Sequence, residues 1–234
     1  MKKMISMLIL VLGLFCVQAF AEEVIISPVN HASFVMQLGS FTFFVDPVGN
    51  AQLYSAYSVP DFILITDIHQ DHLSKQIVDA LKRPETVVIG PQAVIDILGY
   101  GEVLNNDQNK TFGMITIFAI PMYNITKERL QFHPKGRGNG YLIKTDANRV
   151  YISGDTEDIP EMKSLKNIDY AFICMNLPYT MSAAQAASAV LEFQPRIVYP
   201  YHYRGKDMIS DLDEFKALLK KAENIEVRLL NWYK

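Results

Sequence analysis

Short apolar runs alternate with polar loops along most of the chain. Several of these runs are rich in β-branched and aromatic residues, which is typical of buried strands. The predicted strands cover residues 24–26, 33–37, 41–45, 62–66, 87–89, 114–120, 141–144, 150–153, 168–175, 197–200 and 225–230. The predicted helices cover residues 73–81, 91–98, 182–193 and 212–221. Strands and helices alternate without a linker rich in glycine, serine or proline, so the pattern predicts one α/β domain of layered sheets covered by helices.

The N-terminal segment has a different pattern. Lys2 and Lys3 precede an almost wholly apolar stretch at 4–17, and Ala-Phe-Ala follows at 19–21. This order is typical of a secretory signal that is removed from the mature protein. The apolar stretch is too short to span a membrane comfortably, so we expect no stable membrane insertion after cleavage. We predict an exported protein, either periplasmic or secreted. The predicted organisation is a signal peptide over residues 1–21 and a functional domain over residues 22–234.

The net charge of the chain bears on its partners. The full sequence has a formal charge of −3, and the loss of Lys2 and Lys3 with the signal changes it to −5. A net negative charge argues against general binding to nucleic acid or to an anionic membrane. We therefore expect a small-molecule substrate and no nucleic acid, while the sequence leaves the oligomeric state open.

Four side chains that can bind metal follow the apolar run at 62–66. These are Asp67, His69, Asp71 and His72. Two carboxylates and two imidazoles cannot be packed into a core without partners, whereas on a loop at the end of a strand they can converge on cations. The alternative is a solvated loop with helix-capping carboxylates, which leaves the histidines unexplained. The cluster predicts a metal-dependent hydrolase.

Further candidate residues follow other strands or lie in a glycine-bearing loop. They are His31, His133, Asp155 and His202. Ligands of open α/β sheets gather outside the ends of the strands, so these side chains can meet in one place. Taken singly, each has a plainer interpretation, such as a turn aspartate or a surface histidine. Only their occurrence together favours a common site.

The glycine-bearing loop contains Gly136, Gly138 and Gly140. A dinucleotide-binding loop should open a helix, but this one leads into the strand predicted at 141–144. We expect its glycines to let the backbone pass close to the site. Arg137 of the same loop could bind an anionic substrate, although a solvated face is the interpretation we prefer.

The segment Thr66-Asp67-Ile68-His69-Gln70-Asp71-His72 resembles the Thr-His-x-His-x-Asp-His signature of the metallo-β-lactamase superfamily. The later blocks follow in the order that this family uses. They are His133 before a glycine-rich stretch, Gly154-Asp155-Thr156, and His202 after a terminal strand. The resemblance covers nearly all of the mature chain and implies an α/β fold, a four-layer αβ/βα sandwich.

Other segments resemble one branch of that superfamily. Asn30-His31-Ala32-Ser33, Asp46-Pro47 and the segment 176–181 resemble the branch that contains ascorbate-6-phosphate lactonase-like hydrolases. The resemblance implies a small lactone, ester or phosphorylated metabolite as the substrate, in preference to a β-lactam.

The resemblance also implies a binuclear centre with two divalent metal ions. The first ion would be held by Asp67, His69 and His133, the second by Asp71, His72 and His202, and Asp155 would bridge both. Asp67 departs from the common signature, which has histidine there. A carboxylate makes a harder, more anionic site, so zinc is the first expectation and manganese or iron are alternatives.

Two divalent ions can hold a bridging hydroxide at neutral pH and polarise a substrate oxygen, so hydrolysis needs no protein nucleophile. Asp71 is the preferred acid/base residue. His31 is expected near the pocket, where it could hydrogen-bond the substrate or protonate a leaving group. Two alternatives remain: a di-iron redox protein of the same fold, and a non-enzymatic metal-binding module.

Overall fold

The computed structural model describes residues 24–233 of the chain. The signal peptide predicted over residues 1–21 lies outside the described residues, so cleavage and export stay predictions. Within the described range, no helix is both long enough and apolar enough to cross a membrane.

The strands of the described chain form a six-stranded and a seven-stranded sheet. The first sheet contains β1 (Val24–Asn30), β2 (Ser33–Leu38), β3 (Phe41–Val45), β4 (Phe62–Leu64), β5 (Val87–Gly90) and β6 (Glu102–Val103). The second contains β7 (Asn109–Phe112), β8 (Ile115–Met122), β9 (Gly138–Lys144), β10 (Arg149–Ile152), β11 (Tyr170–Cys174), β12 (Ile197–Tyr201) and β13 (Glu226–Val227). The helices are α1 (Lys75–Leu81), α2 (Gln92–Leu98), α3 (Pro160–Lys163), α4 (Ala183–Phe193) and α5 (Leu212–Leu219).

Each sheet combines an antiparallel part with a parallel part. In the first sheet β1, β2 and β3 are antiparallel neighbours, and β4, β5 and β6 continue from β3 in parallel. In the second sheet β7 to β10 are antiparallel neighbours, and β11, β12 and β13 continue from β10 in parallel. Loops at the carboxyl ends of parallel strands are the usual place for a ligand site, so the loops after β4, β10 and β12 are expected positions for one.

Alternating side chains on the strands of the first sheet separate two cores. Phe34 and Met36 of β2 belong to the core between the two sheets, and Phe34 stacks on Phe172 of β11 with ring centroids 4.5 Å apart. Val35, between them, belongs to the outer core against α1 and α2, which contains Val78 of α1. This period of two places helices outside the first sheet and the second sheet inside it. The predicted four-layer α/β sandwich is confirmed.

Helix α4 covers the other face of the second sheet, and the sequence predicts its start correctly. The hydroxyl of Ser182 accepts a hydrogen bond from the Gln185 backbone N–H at 3.2 Å, and the Gln185 side chain accepts one from the Ser182 N–H at 3.1 Å. This reciprocal capping satisfies two N–H groups that the first turn leaves free. Ala186 is fully buried, and Val190 packs beside it in the same core.

The strands predicted at 141–144 and 150–153 are confirmed and pair as an antiparallel hairpin, β9 with β10, but several short elements were not predicted. β7 has the sequence Asn-Lys-Thr-Phe, and its side chains are largely exposed. An edge strand of this kind has no buried face to impose an apolar alternation, so its pairing partner decides its conformation. The last strand is shorter than the predicted 225–230 and pairs with β12 over Glu226–Val227.

A buried carboxylate anchors the loop that follows β8. Glu157 is fully buried, and its Oε2 accepts hydrogen bonds from the backbone N–H groups of Ile125 and Thr126, each at 2.6 Å. The Arg129 guanidinium donates to the other oxygen of Glu157 and to the Thr180 carbonyl at 2.9 Å. Burial works to raise the pKa of Glu157, but these donors outweigh it and lower that pKa.

We expect Glu157→Gln to lower the free energy of unfolding by about 2–3 kcal/mol at neutral pH, because the amide leaves donors unmatched and Arg129 without its counter-ion. A lowered pKa stabilises the fold above the ordinary glutamate value of 4.5, and this stabilisation is lost as the pH falls through the folded-state pKa. Urea unfolding of both proteins at a series of pH values should show the difference shrinking in acid. The exposed Glu85→Gln is the matched control, and a constant difference at all pH values would contradict the assignment.

Candidate metal centre

The candidate residues come together at the edge where the two sheets meet. Asp67, His69, Asp71 and His72 occupy the loop after β4, which is closed by backbone hydrogen bonds from His72 and Leu73 to the His69 carbonyl. The remaining residues are supplied by the turn between β1 and β2, the loop before β9, the loop after β10 and the residue that follows β12: His31, His133, Asp155 and His202. Residues far apart in sequence thus occupy one location.

Two direct bonds join the sheets next to this location. The Asn139 backbone N–H donates to the Thr66 carbonyl at 2.9 Å, and the Tyr141 hydroxyl donates to the Ile65 carbonyl at 2.7 Å. The approach is so close that a Cβ on Gly138 would lie 3.0 Å from the Thr66 oxygen. The expectation that glycines of this loop let the backbone pass close to the site is confirmed at Gly138.

The residues expected around the second metal ion form a buried group, here called the second cluster. It consists of His72, Asp155 and His202. The Oδ2 of Asp155 lies 3.4 Å from Nε2 of His72, and its Oδ1 lies 3.4 Å from Nε2 of His202. Asp71 adds an oxygen at the rim, where its Oδ2 lies 3.4 Å from Nε2 of His202. Asp71 therefore adjoins the cluster through His202 and, with its Oδ1 at 4.0 Å from Nε2 of His72, through His72.

The residues expected around the first metal ion form the first cluster. It consists of Asp67, His69 and His133, whose ligand atoms lie within 4.8 Å of one another. The rings of His69 and His133 meet edge-on with centroids 5.1 Å apart. Nε2 of His133 also lies 3.3 Å from Oδ2 of Asp155. Asp155 therefore connects the two clusters, which is where the resemblance placed a bridging ligand.

Two buried atoms of the second cluster show whether its residues fit a metal ion. Within residues 24–233, neither Nε2 of His72 nor Oδ1 of Asp155 completes a hydrogen bond to a protein group. Buried polar atoms are normally paired, so such atoms require an explanation. Both atoms face the other donors of the cluster, as ligands to a cation would. The residues present at the second cluster therefore fit a divalent metal ion.

The charges of these groups are strongly coupled. Burial works to raise the pKa of Asp155, but the imidazoles of His202 and His72 outweigh it and hold that pKa well below its usual range. Burial works to lower the pKa of His202, yet Asp155 and Asp71 raise it to about 9. Burial also opposes ionisation of Asp71, and His202 again lowers its pKa. The carboxylates of the second cluster are thus held in the ionised form that a cation binds.

Asp46 fixes the orientation of the His72 ring through Nδ1, the ring nitrogen that does not face the second cluster. It lies directly after β3 and is fully buried. Its carboxylate accepts hydrogen bonds from the Thr66 N–H at 2.7 Å and hydroxyl at 2.6 Å, and lies 2.8 Å from Nδ1 of His72. Burial raises the pKa of Asp46, but these surrounding donors fit its ionised form. A carboxylate on one ring nitrogen sets the tautomer, so the other nitrogen of His72 is free for a metal.

Three residues of the site adopt the left-handed backbone conformation that favours glycine. His31, Asp46 and His202 have φ angles of 49°, 44° and 46°. Such a conformation costs of order 1–3 kcal/mol per residue and persists only where the surrounding structure imposes it. Strain concentrated at residues that meet around one point indicates a site that is shaped for function.

A family comparison decides what this arrangement represents. A sequence model described as a β-lactamase superfamily domain matches residues 26–202, which include the turn of His31 and end on His202. The match covers most of the chain and every candidate ligand. The chain belongs to the metallo-β-lactamase superfamily.

Relatives of this metallo-β-lactamase superfamily member carry hydrolase names. A UPF0173 metal-dependent hydrolase of Thermococcus onnurineus is 32% identical over 218 residues, which cover 84% of this chain and 92% of that protein. A crystal structure from Parabacteroides distasonis, provisionally named a metal-dependent hydrolase, is 40% identical with a TM-score of 0.83, covering 91% of this chain and 94% of that one. These similarities support a metal-dependent hydrolase.

A more distant structure agrees on the fold of this superfamily member. A metallo hydrolase of Ignicoccus hospitalis has a TM-score of 0.76 at 21% identity, covering 90% of this chain and 96% of that chain. At this identity the likeness concerns the fold alone. The ascorbate-6-phosphate lactonase-like branch stays a prediction.

Sequence reasoning missed or misinterpreted two residues of this metallo-β-lactamase site. The sequence marks Asp46 only as part of a branch resemblance, although an aspartate directly after a largely buried strand needs a partner. Arg137 was interpreted as part of a solvated face, and that interpretation is wrong. Its side chain is only 20% exposed and turns inward to Asp67. The unusual Asp67 was the available signal, because a buried carboxylate calls for a cation.

Proposed function

We propose that this metal-dependent hydrolase cleaves a small lactone, ester or phosphorylated substrate, with a divalent ion held by Asp71, His72, Asp155 and His202. The observation that carries this proposal is that, within residues 24–233, buried Nε2 of His72 and Oδ1 of Asp155 face other donors of the second cluster without a hydrogen-bond partner. A divalent ion held there lowers the pKa of water and polarises a substrate oxygen.

Asp71 is proposed as the acid/base residue. Its side chain is 45% exposed, so it lies at the rim, where a substrate can reach it, while its Oδ2 lies 3.4 Å from Nε2 of His202. A carboxylate held ionised in this position can orient a water molecule and accept its proton.

His31 is proposed to contact the substrate. Its ring meets that of His202 edge-on with centroids 5.4 Å apart, and it groups with Asp71 and His202. Nδ1 of His31 lies 3.5 Å from the Tyr233 hydroxyl. An imidazole held between the second cluster and this tyrosine can hydrogen-bond the substrate or pass a proton to its leaving group.

Arg204 supports an anionic group on the substrate. Its guanidinium stacks on the ring of Tyr233 at 4.1 Å, and its backbone N–H donates to the Tyr233 hydroxyl at 3.0 Å. This places an exposed cation beside His31. Arginine recognises phosphate and carboxylate groups well, so the phosphorylated members of the proposed substrate class fit this rim.

The two clusters differ in how well they fit an ion. Zinc is the first expectation and manganese or iron are alternatives, since the donors are imidazoles and carboxylates. The second cluster presents atoms without hydrogen-bond partners among the described residues. In the first cluster Asp67 already binds Arg137. Of the two metal positions implied by the family resemblance, the second therefore fits an ion better than the first.

Removal of the metal should abolish hydrolysis reversibly. Protein stripped with a chelator should show no turnover of lactones, carboxylic esters and phosphate esters, and addition of Zn²⁺ or Mn²⁺ should restore turnover of at least one class. Turnover by the stripped protein would contradict metal dependence. Metal binding without turnover of any class would instead favour the non-enzymatic module, and electron transfer by bound iron would favour the redox alternative.

We also propose export. The support is the order of Lys2 and Lys3, the apolar stretch 4–17 and Ala-Phe-Ala at 19–21. Expression of the full chain in a bacterium, followed by fractionation and N-terminal sequencing, should give an extracytoplasmic protein that begins at Glu22. An uncleaved cytoplasmic chain would refute the proposal.

A further inference from the structure

We propose that the Arg137 guanidinium takes the place of the first metal ion, so that the centre binds one divalent ion, at the second cluster. This statement of ion number rests on the proposed metal-dependent function. The positive charge at the first cluster is then supplied by a side chain of the protein and not by a metal ion.

Arg137 binds Asp67 through two hydrogen bonds. Its Nε donates to Oδ1 at 3.0 Å, and its Nη2 donates to Oδ2 at 2.8 Å. Asp67 is fully buried, so its charge needs a strong partner. The planar guanidinium matches both carboxylate oxygens at once, which is the most favourable geometry for such a pair. Both oxygens that a metal would use therefore already accept a hydrogen bond from Arg137.

The same nitrogen of Arg137 also faces His69. Nη2 lies 3.2 Å from Nε2 of His69, and Nδ1 of His69 lies 3.1 Å from Oδ2 of Asp67. Both ring nitrogens of His69 thus have partners within the protein. Nη2 also donates to the Phe132 carbonyl, which holds the guanidinium on its own loop, so the two N–H groups of this nitrogen are shared among three acceptors. An arginine does not lose its proton in proteins, so this positive charge is permanent.

The contrast with the second cluster explains why one position should fill and the other should not. His72 and Asp155 present buried atoms that no described protein group completes, whereas Asp67 and His69 are hydrogen-bonded. A divalent ion at the first cluster would have to displace Arg137 or lie beside its charge. The aspartate at position 67 fits this role, because a histidine could not accept two guanidinium N–H groups.

Metal content separates the two possibilities. The full-length protein, saturated with Zn²⁺ or Mn²⁺ and freed of excess ion by gel filtration, should retain one ion per chain by mass spectrometry of the metal. Arg137→Ala should retain two, because Asp67 and His69 are released. Lys135→Ala removes a cation from the same loop that binds Glu161 instead, and should still retain one.

Two ions in the unaltered protein would overturn the inference, and so would one ion in a folded Arg137→Ala variant. No ion in the unaltered protein would overturn the proposed metal-dependent function itself, which is a different result. If Arg137→Ala does not fold, the electron paramagnetic resonance of the Mn²⁺-saturated protein decides. An isolated Mn²⁺ signal supports one ion, and a spin-coupled pair contradicts it.

Discussion

Asp71→Ala should abolish hydrolysis and reduce the retained metal to a trace while the protein stays folded. Asp71 contributes a carboxylate oxygen at 3.4 Å from Nε2 of His202 and is also the proposed acid/base residue. Loss of an outer-shell partner of a metal ligand typically costs about 10–100-fold in affinity or activity, so loss of a ligand that also moves a proton should cost more than 100-fold. Turnover, metal content and circular dichroism of the purified variant provide the measurements.

The fold should tolerate this change because the Asp71 side chain is 45% exposed and its loop is closed by backbone bonds. Asp79→Ala is the matched control. Asp79 is a similarly exposed aspartate on α1 that pairs with Lys75, away from the site, and its loss should leave turnover and metal content unchanged. Undiminished hydrolysis by Asp71→Ala supplied with Zn²⁺ or Mn²⁺ would refute the assignment.

Asp46→Asn should weaken metal binding about 10–100-fold without removing a ligand. The new amide places N–H groups where the carboxylate accepts from Thr66 and His72, so His72 loses the partner that sets its tautomer. Because the site is fully buried, we also expect the free energy of unfolding to fall by roughly 2–4 kcal/mol. Calorimetric titration with Zn²⁺ and urea unfolding of the metal-free protein measure the two effects separately.

Asp61→Asn is the control that separates the effect on metal affinity from the effect on the free energy of unfolding. Its Oδ2 accepts a backbone hydrogen bond from Thr42 at 2.7 Å, at the start of β4 and away from the site. The same substitution there should lower stability modestly and leave the metal affinity unchanged. Equal metal affinity in Asp46→Asn and the unaltered protein would show that Asp46 does not position His72.

The sequence was sufficient to predict which residues come together where metal-binding side chains follow a buried strand. The segment 67–72 contains metal-binding side chains directly after a buried strand, and Asp155 and His202 each follow another. Because parallel strands share one edge for their carboxyl ends, the topology of the second sheet brings Asp155 and His202 together, and the packing of the two sheets brings the 67–72 loop to them. Short apolar runs likewise predicted the central strands of both sheets.

Residues whose surroundings come from distant segments could not be predicted in the same way. The direction of the Arg137 side chain depends on Asp67, which is 70 positions away, and no local pattern distinguishes an inward arginine from a solvated one. Helix α3 is a single short turn that carries little periodic signal, and β6 is equally brief. Tertiary contacts decide such elements, and sequence patterns record those contacts poorly.

The bonds that join Thr66 to Asn139 and Ile65 to Tyr141 tie the two halves of the chain at the very edge that bears the ligands. Asp71 and His72 come from the amino-terminal half, whereas Asp155 and His202 come from the carboxy-terminal half. A bound cation would therefore link two halves of the described chain, each of which forms one sheet. Neither half can retain it alone, so metal occupancy reports that the whole molecule has assembled.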